Sequence, residues 1–249
     1  MKKGKKILHT ALICICAAAF LFSGYKIAET LLAYKKADNF YSDLNDRYIT
    51  EINNSDPAVT DPGNSRVQID FNRLLSDYPD IVGWLLCEGT VMNYPVVQTS
   101  DNEYYLRRDL NGNYLVTGTI FADFRCTRPG EDPCYLIFGH NMNNGTIFGM
   151  LKNYRDPAYL AEHPTYSYLT PDKDYTVEVL AAATTTTADS IYDIGNEREG
   201  FTEHIREFCR SAGRDPSIAE GDRFIVLSTC TDGNSDERLI LIGRIMEGR

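Results

Sequence analysis

Three residues of this sequence carry types and positions suited to acyl-transfer chemistry. Cys230 follows the apolar run Phe224-Ile225-Val226-Leu227, His140 follows Tyr135-Leu136-Ile137-Phe138, and Arg238 opens Leu239-Ile240-Leu241-Ile242. Each stands at the end of a run with strand character, where a rigid scaffold can offer a side chain to an incoming molecule. A thiolate attacks an acyl carbon, and an imidazole carries the protons of the leaving and incoming amines. A guanidinium can hold the oxyanion of the tetrahedral intermediate, because it stays charged and presents a rigid fork of donors. Cys230 and Arg238 are eight positions apart. That spacing fits neighbouring antiparallel strands joined by Thr231-Asp232-Gly233-Asn234-Ser235-Asp236, with both side chains at the loop end.

Taken singly, each residue has a plainer reading. A cysteine after a strand is more often a small buried hydrophobe than a nucleophile. A lone histidine is by default a hydrogen-bonded structural one, and Arg238 has Asp236 and Glu237 beside it as simple ion-pair partners. The weight therefore falls on the three together and on the elements that place them.

Those elements read mainly as strands. Runs at 81–87, 91–98, 117–123, 134–138, 175–186, 223–229 and 238–246 are β-branched or apolar and of strand length, most of them separated by turn residues. Short strands in this number point to a barrel or sandwich rather than a parallel α/β sheet. Helices are expected at 26–52, 71–78, 146–154 and 201–211. In the last, Phe201, Ile205, Phe208 and Cys209 fall at i, i+4, i+7 and i+8, which makes Cys209 a core thiol. A polar segment bearing Pro and Gly, 53–65, reads as a linker.

The N-terminus is of another kind. Lys2, Lys3, Lys5 and Lys6 precede an apolar run from Ile7 to Tyr25, about 28 Å as helix and close to the thickness of a bilayer core. The lysines would keep the tip in the cytoplasm and leave the body outside. The run reads as an uncleaved signal anchor. A cleaved signal peptide is the other reading, since Ala17-Ala18-Ala19 offers small residues. Seven of the 25 basic residues lie in positions 1–36 against one acid, Glu29, so the rest of the chain is strongly acidic. Such a body repels phosphate backbones and argues against nucleic-acid binding. Five cysteines lie beyond the apolar run, with no CxxC pair, which argues against a zinc or thioredoxin site. Cys126 and Cys134 flank a loop rich in Pro and Gly, and either a disulfide or two free thiols fits.

Together the motifs resemble a known family. Leu227-Ser228-Thr229-Cys230, followed by Arg238 opening the next strand, resembles the signature of sortases. Phe138-Gly139-His140-Asn141-Met142-Asn143-Asn144-Gly145-Thr146-Ile147-Phe148-Gly149-Met150-Leu151 is similar to the histidine segment of class B sortases. So are Val82-Gly83-Trp84-Leu85 with Tyr94-Pro95-Val96-Val97-Gln98, and Asp101-Asn102-Glu103-Tyr104-Tyr105-Leu106. The resemblance covers 67–246. Ile147 departs from it, standing where Met is expected in many relatives, a conservative exchange.

The resemblance implies a mainly β chain with helices (α+β). Its core would be a closed eight-stranded sortase-type barrel, with N-terminal helices and a helix in the loop before the cysteine strand. It implies a membrane-anchored transpeptidase of Gram-positive bacteria. Such an enzyme cleaves a C-terminal sorting signal of a secreted protein after Thr and passes the acyl group to an amine of a peptidoglycan precursor or a pilin. Carried over residue by residue, Cys230 is the nucleophile, His140 the acid/base and Arg238 the oxyanion or substrate clamp, with Ser228 and Thr229 touching the signal. No cofactor or metal is implied. The expected division is a cytoplasmic tip and anchor at 1–25, a helical stalk and linker at 26–66, and the catalytic domain at 67–249. Two rivals remain: a cysteine endopeptidase with water as acceptor, and a non-catalytic surface-binding barrel. A papain-type fold is disfavoured because His precedes Cys and that family's local cysteine motif is missing.

Overall fold

The computed structural model describes residues 2–51, 67–194, 200–231 and 236–246. The linker expected at 53–65 and most of the loop between Cys230 and Arg238 lie outside these residues. Helix α1 (Lys2–Tyr48) runs unbroken from the apolar N-terminal segment to the body. Its most apolar stretch has a mean hydropathy of 1.9 and is wholly exposed; among the described residues it is the one helix long and apolar enough to cross a membrane. Further along, Ala37, Tyr41, Leu44 and Tyr48 recur at steps of four, three and four, so they share one face, and that face is buried in the core. The Tyr41 hydroxyl donates to the Gly118 carbonyl at 2.7 Å and the Tyr48 hydroxyl to Asp77 at 2.6 Å.

Strand β1 (Ile49–Glu51) pairs antiparallel with β2 (Val67–Ile69). Helix α2 (Phe71–Asp77) follows, capped by Asp70, whose carboxylate accepts from the Arg73 amide at 3.1 Å. Then come β3 (Ile81–Leu86), β4 (Asn93–Val97), β5 (Ile120–Ala122), β6 (Cys134–Phe138), α3 (Pro157–Glu162), β7 (Thr165–Leu169), β8 (Asp174–Thr186), α4 (Phe201–Ser211), β9 (Phe224–Cys230) and β10 (Glu237–Ile245). The eight strands β3 to β10 close into a barrel in the order β10-β8-β7-β3-β4-β5-β6-β9, with β9 pairing β10 to complete the ring. Pairs β4–β5 and β6–β9 are parallel and the rest antiparallel. Trp84, Tyr135, Tyr168 and Phe224 fill the core.

Strand β9 is buried on both faces from Phe224 to Thr229, which is why it reads as a continuous apolar run rather than an alternating one. Phe201 of α4 meets Phe224 edge-on at 6.1 Å, so the start of the helix packs against the start of that strand. Helix α4 buries Phe201, Ile205, Phe208 and Cys209, as their spacing predicts.

The closed eight-stranded barrel with helices agrees with expectation, but three elements differ from the pattern reading. The strand missing from the apolar runs is β7, Thr-Tyr-Ser-Tyr-Leu, whose Tyr166 and Tyr168 point to the core between polar neighbours. The helix expected at 146–154 is a 3-10 segment, Gly149–Arg155, followed by α3. Ile147 adopts a left-handed φ of 54°, which a helix starting at 146 would not tolerate. The run at 117–123 is reduced to three strand residues, because Gly118 turns the chain at φ 56°. Cys126 and Cys134 are thiols and not a disulfide. The Leu136 amide donates to the Cys126 sulfur at 3.4 Å, and burial pushes that thiol up to about 12.

Candidate active site

Cys230 ends β9 and Arg238 is the second residue of β10; the ladder sets them directly opposite each other. This is the neighbour relation that the eight-residue spacing predicts. His140 reaches the same level by a different route. Strands β6 and β9 run parallel with Phe138 opposite Ser228, and the Gly139 amide extends the ladder by donating to the Ser228 carbonyl at 3.2 Å. Continuing that register by two residues brings His140 level with Cys230. All three line one cleft of about 310 Å³ at this end of the barrel. A larger cavity of about 1060 Å³ lies around Tyr135, Tyr175 and Arg244 and contains none of the three.

The loop carrying His140 is folded tightly back on itself. The Phe148 amide donates to the His140 carbonyl at 3.1 Å, and Asn141 bridges Ile147. A Cβ on Gly139 would come within 2.7 Å of the Phe148 ring, so this approach requires glycine. The amide of the left-handed Ile147 donates to the Tyr94 hydroxyl at 3.2 Å. Asn141 Nδ2 donates to the Thr231 carbonyl at 3.0 Å, tying the histidine loop to the residue after Cys230.

His140 Nε2 lies 2.7 Å from the Leu106 carbonyl oxygen. A carbonyl only accepts, so Nε2 carries the proton, and in the neutral ring Nδ1 is the nitrogen free to take another. Burial pulls the His140 pKa below its ordinary value of 6.5. The Leu106 hydrogen bond opposes that shift, and the charge of Arg107 adds to it. Cys230 and Arg238 are half-buried. Arg238 donates through Nη1 to the Glu237 carbonyl at 2.9 Å.

Ser228 and Thr229 also line the cleft, and they differ. Ser228 Oγ is hydrogen-bonded to the Tyr192 hydroxyl at 2.8 Å. Thr229 is 3% exposed, and its hydroxyl has no partner among the described residues. Pattern reading assigned no role to Leu106, Tyr192 or the acidic and basic residues of the β5–β6 loop. The run Asp101-Asn102-Glu103-Tyr104-Tyr105-Leu106 was a usable signal. Asp101 caps it, accepting from the Glu103 and Tyr104 amides at 2.8 and 2.7 Å, and so starts the 3-10 turn Tyr104–Arg107 that delivers Leu106.

A closed barrel with a thiol, an imidazole and a guanidinium gathered at one end is the architecture of a cysteine acyltransferase. The sortase domain family matches residues 87–246. Sortase B of Listeria monocytogenes is 31% identical, over 98% of this chain and 99% of its own. The structure of the Staphylococcus aureus sortase B–substrate complex superposes with a TM-score of 0.66 at 27% identity, covering 72% of this chain and 85% of that one. A Streptococcus pyogenes class B sortase involved in pilus biogenesis superposes with a TM-score of 0.61 at 30% identity, covering 71% of this chain and 98% of that one. The chain belongs to the sortase family, in its class B branch, and is a cysteine transpeptidase.

Proposed function

We propose that Cys230, His140 and Arg238 are the catalytic set of a membrane-anchored transpeptidase that cleaves a C-terminal sorting signal after Thr and transfers the acyl group to a cell-wall amine. The observation that carries this reading is the convergence of the three: Cys230 and Arg238 are ladder partners, and His140, two residues beyond the end of the β6–β9 pairing, lines the same cleft. The Cys230 thiol gives its proton to His140 Nδ1, the nitrogen that the Leu106 bond leaves open. The thiolate then attacks the Thr carbonyl carbon, and the carbonyl π pair moves onto oxygen, where the Arg238 guanidinium stabilises the charge. Collapse breaks the C–N bond, and His140 returns its proton to the departing amine, leaving a thioester on Cys230. An incoming amine attacks that thioester and gives its proton to His140; collapse releases the thiolate. Ser228 and Thr229 border the bound signal.

The long exposed apolar helix and the N-terminal lysines support a single-pass anchor with the barrel outside the membrane. The acceptor is an amine of a peptidoglycan precursor. A pilin lysine is the second reading, favoured by the likeness to the streptococcal class B sortase involved in pilus biogenesis. The test is a pentapeptide library with one fixed Thr, incubated with residues 26–249 and with or without a candidate amine. Mass spectrometry should find a thioacyl adduct on Cys230 and an amine-dependent ligated product. An adduct that goes only to hydrolysis with every amine supplied rejects the transpeptidase step. A Cys230→Ala protein that still cleaves removes Cys230 from the mechanism.

A further inference from the structure

Beyond those three residues, and resting on their reading as the catalytic set, we propose that Arg125, gripped by the buried carboxylate of Asp123, is a positioning residue that fixes the Tyr192 wall of the substrate cleft. Asp123 has no exposed side-chain surface, whereas Arg125 is 40% exposed. The carboxylate accepts four hydrogen bonds: from Arg125 N at 3.0 Å, Nε at 2.8 Å and Nη2 at 2.7 Å, and from Asn102 Nδ2 at 3.0 Å. Burial alone would raise the Asp123 pKa, but the Arg125 bonds outweigh it and hold the carboxyl below its ordinary range. The ion pair itself is local, two residues apart within one turn, and joins nothing distant.

What it reaches is distant. Arg125 Nη2 also donates to the Tyr192 carbonyl at 2.9 Å, across 67 positions of sequence. Tyr192 in turn stacks its ring on Phe138, with centroids 6.3 Å apart and planes inclined by 13°, and shares a hydrogen bond with Ser228. Phe138 lies two residues before His140, and Ser228 two before Cys230. Arg125, Tyr192, Phe138 and Ser228 all line the cleft. The forked pair therefore sets where Tyr192 stands against the two strand ends that carry the thiol and the imidazole. A lysine at 125 would keep the charge but not the planar fork that grips both carboxylate oxygens while reaching the carbonyl.

The test is Arg125→Lys in the full chain, assayed with the internally quenched form of the library pentapeptide that is turned over best. The expected result is a KM raised about tenfold with kcat within about twofold, because the wall and not the reacting atoms has moved. Alkylation of Cys230 by iodoacetamide, which needs no cleft wall, should stay within about twofold. In a Tyr192→Ala background the same substitution should change KM by less than about twofold, since a residue acting through Tyr192 has nothing left to position. An unchanged KM in the single variant overturns the proposal. So does a full tenfold loss repeated in the Tyr192→Ala background, or a parallel fall of kcat, alkylation and thermal midpoint. If Arg125→Lys does not fold, Asp123→Asn weakens the same grip and must raise KM in the same sense. A wild-type protein that forms no thioacyl adduct rejects the catalytic reading itself, and does so before any Arg125 variant is made.

Discussion

Replacing Arg238 by lysine separates two things the guanidinium could do. As ladder partners, Cys230 and Arg238 have Cβ atoms about 5 Å apart. Lysine at 238 keeps a positive charge in that place. What lysine loses is the fork, the donor geometry that meets an oxyanion. Loss of one such donor costs about 100-fold in kcat, or about 2.7 kcal/mol of transition-state stabilisation. We therefore expect Arg238→Lys to lower kcat about 100-fold while iodoacetamide alkylates Cys230 at close to the wild-type rate, since alkylation builds no oxyanion. Arg238→Gln removes the charge as well and should lower kcat at least as far. Arg238 is half-buried at the cleft edge, so the thermal midpoint should barely move. Steady-state cleavage of the library peptide and a timed alkylation series read by mass spectrometry measure both arms. A lysine variant within about threefold of wild type in kcat would show that charge alone suffices and that the fork argument is wrong.

Burial lowers the His140 pKa, so the neutral ring is the form the fold favours. Its contribution to stability is complete above the unfolded value of about 6.5 and is lost as pH falls through the lower folded value. Denaturant melts should show wild type losing ground to His140→Asn below about pH 6.5 and holding a constant difference above pH 7; a difference flat down to pH 5 contradicts this. Since none of the five cysteines of the body is in a disulfide, thiol titration of residues 26–249 in denaturant should give the same count with and without reductant. Tyr41→Phe removes the bond to the Gly118 carbonyl and should cost about 1 kcal/mol in chemical unfolding while leaving kcat unchanged. Cys209→Ala, in the buried face of α4, should likewise cost about 1 kcal/mol and spare activity, a result at odds with any catalytic use of that thiol.

The strands legible in the sequence were those whose burial is continuous, such as β6 and β9, where apolar runs leave little choice. Strand β7 was not, because an alternation built from Tyr, Ser and Thr does not look apolar although Tyr166 and Tyr168 are core residues. The Cys230–Arg238 relation was legible because a hairpin converts sequence distance into register. The level of His140 was not, since it depends on a parallel pairing between strands some ninety positions apart. Least legible was the proton geometry of His140. It rests on a main-chain carbonyl, that of Leu106, and no residue type announces a carbonyl. Arg125 shows the same limit from another side: its local partner is obvious from spacing, but its reach to Tyr192 exists only in the folded chain.

Helix α1 has a mechanical consequence. It continues without a break from the apolar segment to the first residue buried on the barrel, Ala37. With that segment seated in a bilayer, the barrel stands on a strut and not on a tether. Each residue added between Tyr25 and Ala37 lifts the body about 1.5 Å and swings it about 100° around the helix axis. One extra residue would thus aim the cleft mouth at a different quarter of the surroundings. Four extra residues would raise it by about 6 Å and nearly restore its bearing. Length in this short stretch is therefore an azimuth as well as a height, and the compass direction of the cleft is written in the phase of a helix.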